Sequence, residues 1–355
     1  MVRTKTFLLV NFGCRVNAAE TNLLGQNLFN LGFKYSPTNP SLIIVNTCSV
    51  TAKGDRESRA KIKSLLGKYP RSQILATGCA NLSEFFSYPR VKILSNPQKE
   101  QLLSSPKCAY NSSIPTSLNK HHRYLLNVQS GCSANCAYCI IPQTRLHLWS
   151  LPIKQAITLT KQALQDGFQE IIITGINLNQ YRYGLRNLLE ALLSRTCSPL
   201  ISFGSLPLLC IDNKFISLAK NHQSRITKFL HVPIQSGSDR ILRLMRRPYL
   251  RKDIIRRISD LKLKINKLSF GTDIIVGFPT ETDVDFQQTY DLCQAIGFSK
   301  IHSFRFSPRP NTLAKELYLT SPKIPSSTIL CRFKQIHSLI AQTISPSHQK
   351  SEKTS

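Results

Sequence analysis

Cys132, Cys136 and Cys139 stand in the spacing C-x3-C-x2-C within the stretch Val128 to Pro142. Three thiolates so close in the chain can grip one face of a metal centre. No fourth ligand lies beside them, which suits an iron–sulfur cluster with one iron left open to a small molecule better than a closed structural site. A structural zinc site would have to borrow His121, His122 or His147. Three core thiols fit poorly, because Gly131, Ser133 and Asn135 between them read as loop.

A second set of cysteines is defined by the elements that precede them. Phe7 to Phe12 reads as a strand leading into Gly13-Cys14 and a helix from Asn17 to Leu31. Leu42 to Asn46 leads into Cys48 and a helix from Lys53 to Leu66, and Ile74 to Thr77 leads into Gly78-Cys79. Each thiol thus follows the C-terminal end of a buried strand. In an open parallel sheet those ends form one crevice, so Cys14, Cys48 and Cys79 are expected to converge as a second three-thiolate set. The competing reading, cysteine as a small apolar residue at a strand end, explains one such position more easily than three in register.

Farther along, strands are expected at Tyr124 to Val128, Glu170 to Thr174, Leu200 to Phe203, Phe229 to Val232, Ser269 to Val276 and Ile301 to Phe306, with helical patterns between them. Six β/α units fit a parallel barrel short of the full eight. The fold class is therefore α/β, a small parallel-sheet domain over 1–96 followed by a partial (β/α)6 barrel over 122–316. Residues 97–121 read as a linker and 317–355 as a helix and polar tail. Polar and glycine residues cluster after the barrel strands: Thr174, Gly175 and Asn177; Ser205; Gln235, Ser236 and Gly237; and Gly277.

The segment VQSGCSANCAYCIIP resembles the radical S-adenosylmethionine (AdoMet) superfamily in its methylthiotransferase branch. NFGCRVNAAET, VNTCSVT and TGCA are similar to the three amino-terminal cysteine motifs of that branch. Val16, Glu20-Thr21 and Val50-Thr51 resemble the members that act on threonylcarbamoyl-adenosine. The resemblance implies two [4Fe-4S] clusters, one on Cys132, Cys136 and Cys139 that binds and cleaves AdoMet, the other on Cys14, Cys48 and Cys79 that presents the sulfur. It implies a transferase that adds a methylthio group to C2 of N6-threonylcarbamoyladenosine at position 37 of tRNA. Isopentenyladenosine or a ribosomal-protein side chain are the alternative targets. Thr174, Gly175, Asn177, Ser205, Gln235, Ser236, Gly237 and Gly277 carry over as AdoMet-pocket or barrel-rim residues. The implied partners are tRNA, at its anticodon region, and a reductant protein such as flavodoxin or ferredoxin. Against the family pattern, Leu146 and Trp149 follow Arg145 where glycine and a second arginine are usual, and Thr280 and Asn311 replace glycines. A carboxy-terminal TRAM domain, usual in the family, is expected to be absent.

Composition agrees with a nucleic-acid partner: 355 residues carry a formal net charge of +28, more than solubility requires. Arg240, Arg243, Arg246, Arg247, Arg251, Lys252, Arg256 and Arg257 crowd one helical region and are expected to contact RNA phosphates. No run approaches the roughly twenty apolar residues of a membrane span, and Phe7 to Val10 is too short for a signal peptide. Eleven cysteines without an export signal indicate a reducing, cytoplasmic setting in which thiols serve metals. A reading of a different class, a non-catalytic RNA-binding protein stabilised by metal, uses the same charge and thiols structurally.

Overall fold

A computed structural model describes residues 5–103, 123–196 and 199–344. Two compact units emerge: one takes in the described residues up to Ala134 with Cys139–Gly204, the other Asn135–Tyr138 and the described residues from Ser205. Among the described residues no helix is long and apolar enough to cross a membrane.

The first unit begins with β1 (Thr6–Asn11), α1 (Arg15–Asn30), β2 (Lys34–Tyr35), β3 (Leu42–Thr47), α2 (Ala52–Lys68), β4 (Gln73–Gly78), β5 (Val91–Ile93) and α3 (Asn96–Leu103). Its first sheet is parallel throughout, in the order β2-β1-β3-β4-β5. The near-continuous apolar runs of β3 and β4 are those of strands buried on both faces. Ile43, Val45, Ile74 and Ala76 pack with Ile62 and Leu65 of α2 and with Phe85 in one core. Thr51 starts α2, its hydroxyl accepting from the Gly54 amide at 3.1 Å.

The unit continues with β6 (Arg123–Ser130), α4 (Ile141–Thr144), β7 (Trp149–Ser150), α5 (Ile153–Gln165), β8 (Glu170–Gly175), α6 (Leu185–Arg195) and β9 (Leu200–Phe203). They form a sheet of order β7-β6-β8-β9, parallel except for β7. Small residues Ala18 and Ala19 let α1 lie against Leu125 of β6 and Ile172 of β8. α3 occupies the start of the segment expected as a linker, and its Lys99 and Glu100 are buried. The rest of that segment, with Cys108, lies outside the described residues.

The second unit holds α7 (Asn213–Asn221), β10 (Phe229–His231), α8 (Asp239–Leu244), α9 (Arg251–Lys264), β11 (Ser269–Val276), α10 (Asp283–Ile296), β12 (Lys300–Arg305), α11 (Leu313–Thr320) and α12 (Ser326–Ile344). Its sheet, β10-β11-β12, is parallel. All six expected barrel strands are therefore present as β/α strands, three in each unit.

Both replacements of family glycines sit where glycine would be comfortable: φ is +66° at Thr280 and +54° at Asn311. Asparagine tolerates this left-handed region, whereas a β-branched residue is strained there by about 1–2 kcal/mol. Thr280→Gly is expected to raise the melting temperature by about 1–3 °C, and Asn311→Gly by less. A thermal melt in which Thr280→Gly is neutral would show that Thr280 stores no strain.

Candidate metal centres and their surroundings

The strand ends of the first sheet are locked so tightly that the three following cysteines have little freedom. A Cβ built on Gly78 (φ +106°) would stand 2.3 Å from the Thr47 carbonyl oxygen, and one on Gly13 (φ +85°) 2.7 Å from Cys48 Sγ. Only glycine permits these approaches. Asn17 Nδ2 donates to the carbonyls of Phe12 (2.9 Å) and Thr47 (2.8 Å), and Ser49 Oγ donates to the Cys79 carbonyl at 2.6 Å. Cys14 precedes the first turn of α1 and is exposed, Cys48 is half-buried and Cys79 is buried. Cys48 lies in the electrostatic field of Cys79 and Cys14, and Cys14 in that of Cys79.

Arg145 lies behind this group, 1% exposed and with its donors fully engaged. Nε donates to Cys79 Sγ at 3.2 Å, and Nη1 to Glu20 Oε1 (2.6 Å) and Ser130 Oγ (2.9 Å). Nη2 donates to Asn17 Oδ1 (2.8 Å) and Glu20 Oε2 (3.0 Å). Lys99 Nζ reaches Glu20 Oε2 at 2.6 Å. Burial opposes ionisation of Glu20, but the charges and hydrogen bonds of Arg145 and Lys99 outweigh it and hold the carboxyl at about 2. With both bases protonated the buried trio carries one surplus positive charge, presented to the thiols.

That charge decides whether these residues fit an iron–sulfur cluster. Burial pushes the Cys48 thiol up to about 11, with Cys79 and Cys14 adding to the rise, so without a cation it keeps its proton at neutral pH. Iron would displace the proton, and Arg145 would balance the negative charge of a cluster bound by three thiolates. Soft donors, a cationic wall and no fourth ligand beside them among the described residues fit such a cluster.

The loop carrying Cys132 is anchored in the first unit. A Cβ on Gly131 (φ +80°) would meet the His147 carbonyl oxygen at 2.0 Å, so the chain after Arg145 runs directly over the loop. Gln129 Nε2 donates to the Gly131 carbonyl at 2.7 Å, and Gln180 Nε2 to Ser133 Oγ at 2.8 Å. Cys132 Sγ accepts from the Ala134 amide (3.4 Å) and Asn177 Nδ2 (3.6 Å). In the second unit Arg247 Nη1 donates to Cys136 Sγ at 3.4 Å, and the Ala137 amide to the Met245 carbonyl at 3.1 Å. Hydrogen-bonded thiols with cationic or amide donors suit thiolate ligands. Of the histidines that a zinc site would borrow, His147 faces Glu100 instead, Nδ1 lying 3.0 Å from Oε2, and His121 and His122 lie outside the described residues.

Residues 126–293 match the Radical SAM superfamily, and residues 6–87 match the family described as Uncharacterized protein family UPF0004. The threonylcarbamoyladenosine tRNA methylthiotransferase MtaB of Chlamydia pneumoniae is 32% identical over 346 residues, covering 93% of this chain and 81% of the relative. The chain belongs to the radical SAM methylthiotransferases. MtaB of Thermotoga maritima is 31% identical over 88% of the chain and 77% of its own length. The tRNA-2-methylthio-N(6)-dimethylallyladenosine synthase of Helicobacter pylori G27 is 29% identical over 93% and 82%. Among solved structures, the radical S-adenosylmethionine methyltransferase TsrM of Kitasatospora setae superposes with a TM-score of 0.66 at 14% identity, covering 88% of this chain and 77% of that one. At that identity the likeness shows the fold.

Within this methylthiotransferase the residues expected at an AdoMet pocket separate by environment. Thr174, Gly175 and Asn177 belong to the first unit, where Asn177 serves Cys132 and Gly175 is pressed against Leu178 and Gln129. In the second unit Ser205 Oγ pairs with His231 Nδ1 at 3.1 Å. Gln235 takes φ +70° in a bridge to Ile274, and the Gly277 amide donates to Glu281 Oε2 at 2.9 Å. Ser236 and Gly237 both face α10, Ser236 Oγ pairing with Thr289 Oγ1 at 3.2 Å and a Gly237 Cβ lying 2.7 Å from Thr289 Cα, so their small size lets helix and turn touch.

The basic stretch also divides. Arg240 pairs with Asp285, Arg247 packs on Tyr249 beside Cys136, Arg251 donates to the Gln288 carbonyl, and Arg257 donates to the Ile211 carbonyl. These four make internal ties, although Arg240 is also exposed. Arg243, Arg246, Lys252 and Arg256 remain exposed. Sequence reading did not find Asn17, Lys99 or Gln129 as supports of the thiols. Asn17 and Glu20 did carry a signal, being polar residues three and six places after Cys14 on one face of a helix otherwise lined by Val16, Ala18 and Ala19.

Proposed function

We propose that this chain adds a methylthio group to C2 of N6-threonylcarbamoyladenosine at position 37 of tRNA. The observation that carries the reading is the joint presence of the C-x3-C-x2-C loop and the converged Cys14, Cys48 and Cys79 site with its Arg145 wall, in a chain whose relatives at 31–32% identity bear that substrate in their names. Val16, Glu20-Thr21 and Val50-Thr51 support threonylcarbamoyl-adenosine over isopentenyl-adenosine.

Cys132, Cys136 and Cys139 would hold one [4Fe-4S] cluster and Cys14, Cys48 and Cys79 another. When bound, these groups supply the electron that cleaves AdoMet and the sulfur that is transferred. Asn177 and Arg247 donate to Cys132 and Cys136 and so fix their sulfurs, while Arg145 neutralises charge behind Cys79. Reduction would come from a small carrier such as flavodoxin or ferredoxin.

The test is turnover of the reconstituted protein on two tRNAs, one carrying threonylcarbamoyl-adenosine and the other isopentenyl-adenosine. The expected product is the methylthio derivative of the first alone. Product from the isopentenyl substrate only would assign the chain to the other branch.

RNA affinity is assigned to the exposed subset of the basic stretch. Replacing Arg243, Arg246, Lys252 and Arg256 by Gln should make the log–log salt dependence of tRNA binding shallower by about 3 units, from about 0.7–0.9 per phosphate contact. An unchanged slope in a filter-binding titration would make this stretch a solvated helix face.

A further inference from the structure

Three neighbouring strands of the second unit bring together His231, Asp273 and His302, residues that neither cluster uses. His231 lies beside Gly271 and Asp273 beside His302 in the sheet register. Strand alternation puts Gly271 and Asp273 on one face of β11, opposite the fully buried Thr272 and Ile274. At Gly271 the lack of a side chain admits the Phe229 ring and His231, since a Cβ would stand 2.6 Å from Phe229 Cζ and 3.2 Å from His231 Cδ2.

The ligating atoms of the three residues lie within 4.8 Å of one another. His231 Nε2 is 3.1 Å from Asp273 Oδ1, and His302 Nδ1 is 3.9 Å from the same oxygen. His231 Nε2 is nonetheless buried with no hydrogen bond. Its other nitrogen, Nδ1, is 3.1 Å from Ser205 Oγ. With the Nδ1 proton given to that hydroxyl, Nε2 turns a lone pair toward a carboxylate, an arrangement that a cation between them would satisfy. A metal-bound imidazole commonly donates its other ring N–H to an oxygen acceptor, a role the Ser205 hydroxyl can take here.

We propose that His231, Asp273 and His302 form a binding site for a divalent first-row transition ion, in the two-histidine, one-carboxylate arrangement with open faces for oxygen ligands. Bonds of about 2.0–2.2 Å place adjacent donors about 3 Å apart. His231 and Asp273 already stand at that separation. His302, with 46% of its side chain exposed, needs a shift of about 1 Å and leaves the ion accessible from its side.

The test is Mn2+ titration of the cluster-loaded protein without RNA, following the six-line resonance of free Mn2+. Mn2+ competes poorly for thiolates, and a chain of net charge +28 gathers few adventitious cations. One saturable Mn2+ per chain is expected, with His302→Ala and Asp273→Asn each weakening it at least about tenfold while iron content and cluster absorption stay unchanged. No saturable binding by the unaltered protein would overturn the proposal and leave a histidine–carboxylate pair only, as would binding that both variants retain. Because cluster content is read in the same samples, neither result depends on methylthio transfer.

Discussion

Cys14→Ala, Cys48→Ala and Cys79→Ala proteins are expected to cleave AdoMet to deoxyadenosine on reduction while forming no methylthio-adenosine. Cys132→Ala, Cys136→Ala and Cys139→Ala proteins should form neither product. The two sets of thiols are held by separate devices: strand ends closed by Gly13 and Gly78 for one, and the Gln129 and Gln180 brackets for the Cys132 end of the other. Losing a thiolate from one set should therefore leave the other assembled, with iron falling from about eight to about four per chain. Two thiolates and an open face do not retain a four-iron cluster, so each loss should be close to complete. Methylthio product from any of the first three variants would mean that the sulfur comes from elsewhere.

The second large effect concerns Arg145. Removing its guanidinium leaves Glu20, Ser130 and Asn17 short of donors in a buried site and strips Cys79 of its cationic neighbour. Breaking a buried ion pair from one side costs about 3–5 kcal/mol, which corresponds to a melting temperature lower by about 4–7 °C in a chain of this size. Arg145→Ala is expected to show that fall and to lose the iron of the amino-terminal site preferentially. Arg145→Lys keeps the charge without the five-donor fork, so it should recover part of the stability and less of the iron. Unaltered melting and full iron loading in Arg145→Ala would show that the network is incidental. Acid gives a supporting check on sign: Glu20 is held at about 2, below its unfolded value, so its stabilisation is present above about pH 4.5 and lost as pH falls toward 2.

Strands and cysteines were legible because their signals are local. Apolar runs such as Leu42 to Asn46 ended where β3 ends, within one residue, and a cysteine follows each run. Helices α9 and α10 followed from periodicity, while the Thr282–Asp285 capping box that starts α10 is seen in the structure. Less visible were α3 and α7, short helices whose patterns span barely two turns. What sequence could not give was partnership across distance. Arg145 read as one member of a motif, yet its partners Glu20 and Asn17 lie more than a hundred residues away. Arg247 and Arg251 read as free cations because charge is visible in sequence and the carbonyls and tyrosine that engage them are not. The contact of Ser236 and Gly237 with α10 was hidden for a similar reason: a small polar turn after a strand has the same composition whether or not it packs on a helix.

Nucleoside mass analysis of tRNA tests the central claim most directly, using a host that lacks its own tRNA methylthiotransferases and expresses this chain. The methylthio derivative of N6-threonylcarbamoyladenosine should appear as the parent nucleoside declines, and the Cys79→Ala protein should leave the parent untouched. Unmodified tRNA in cells whose protein carries about eight irons per chain would contradict the account.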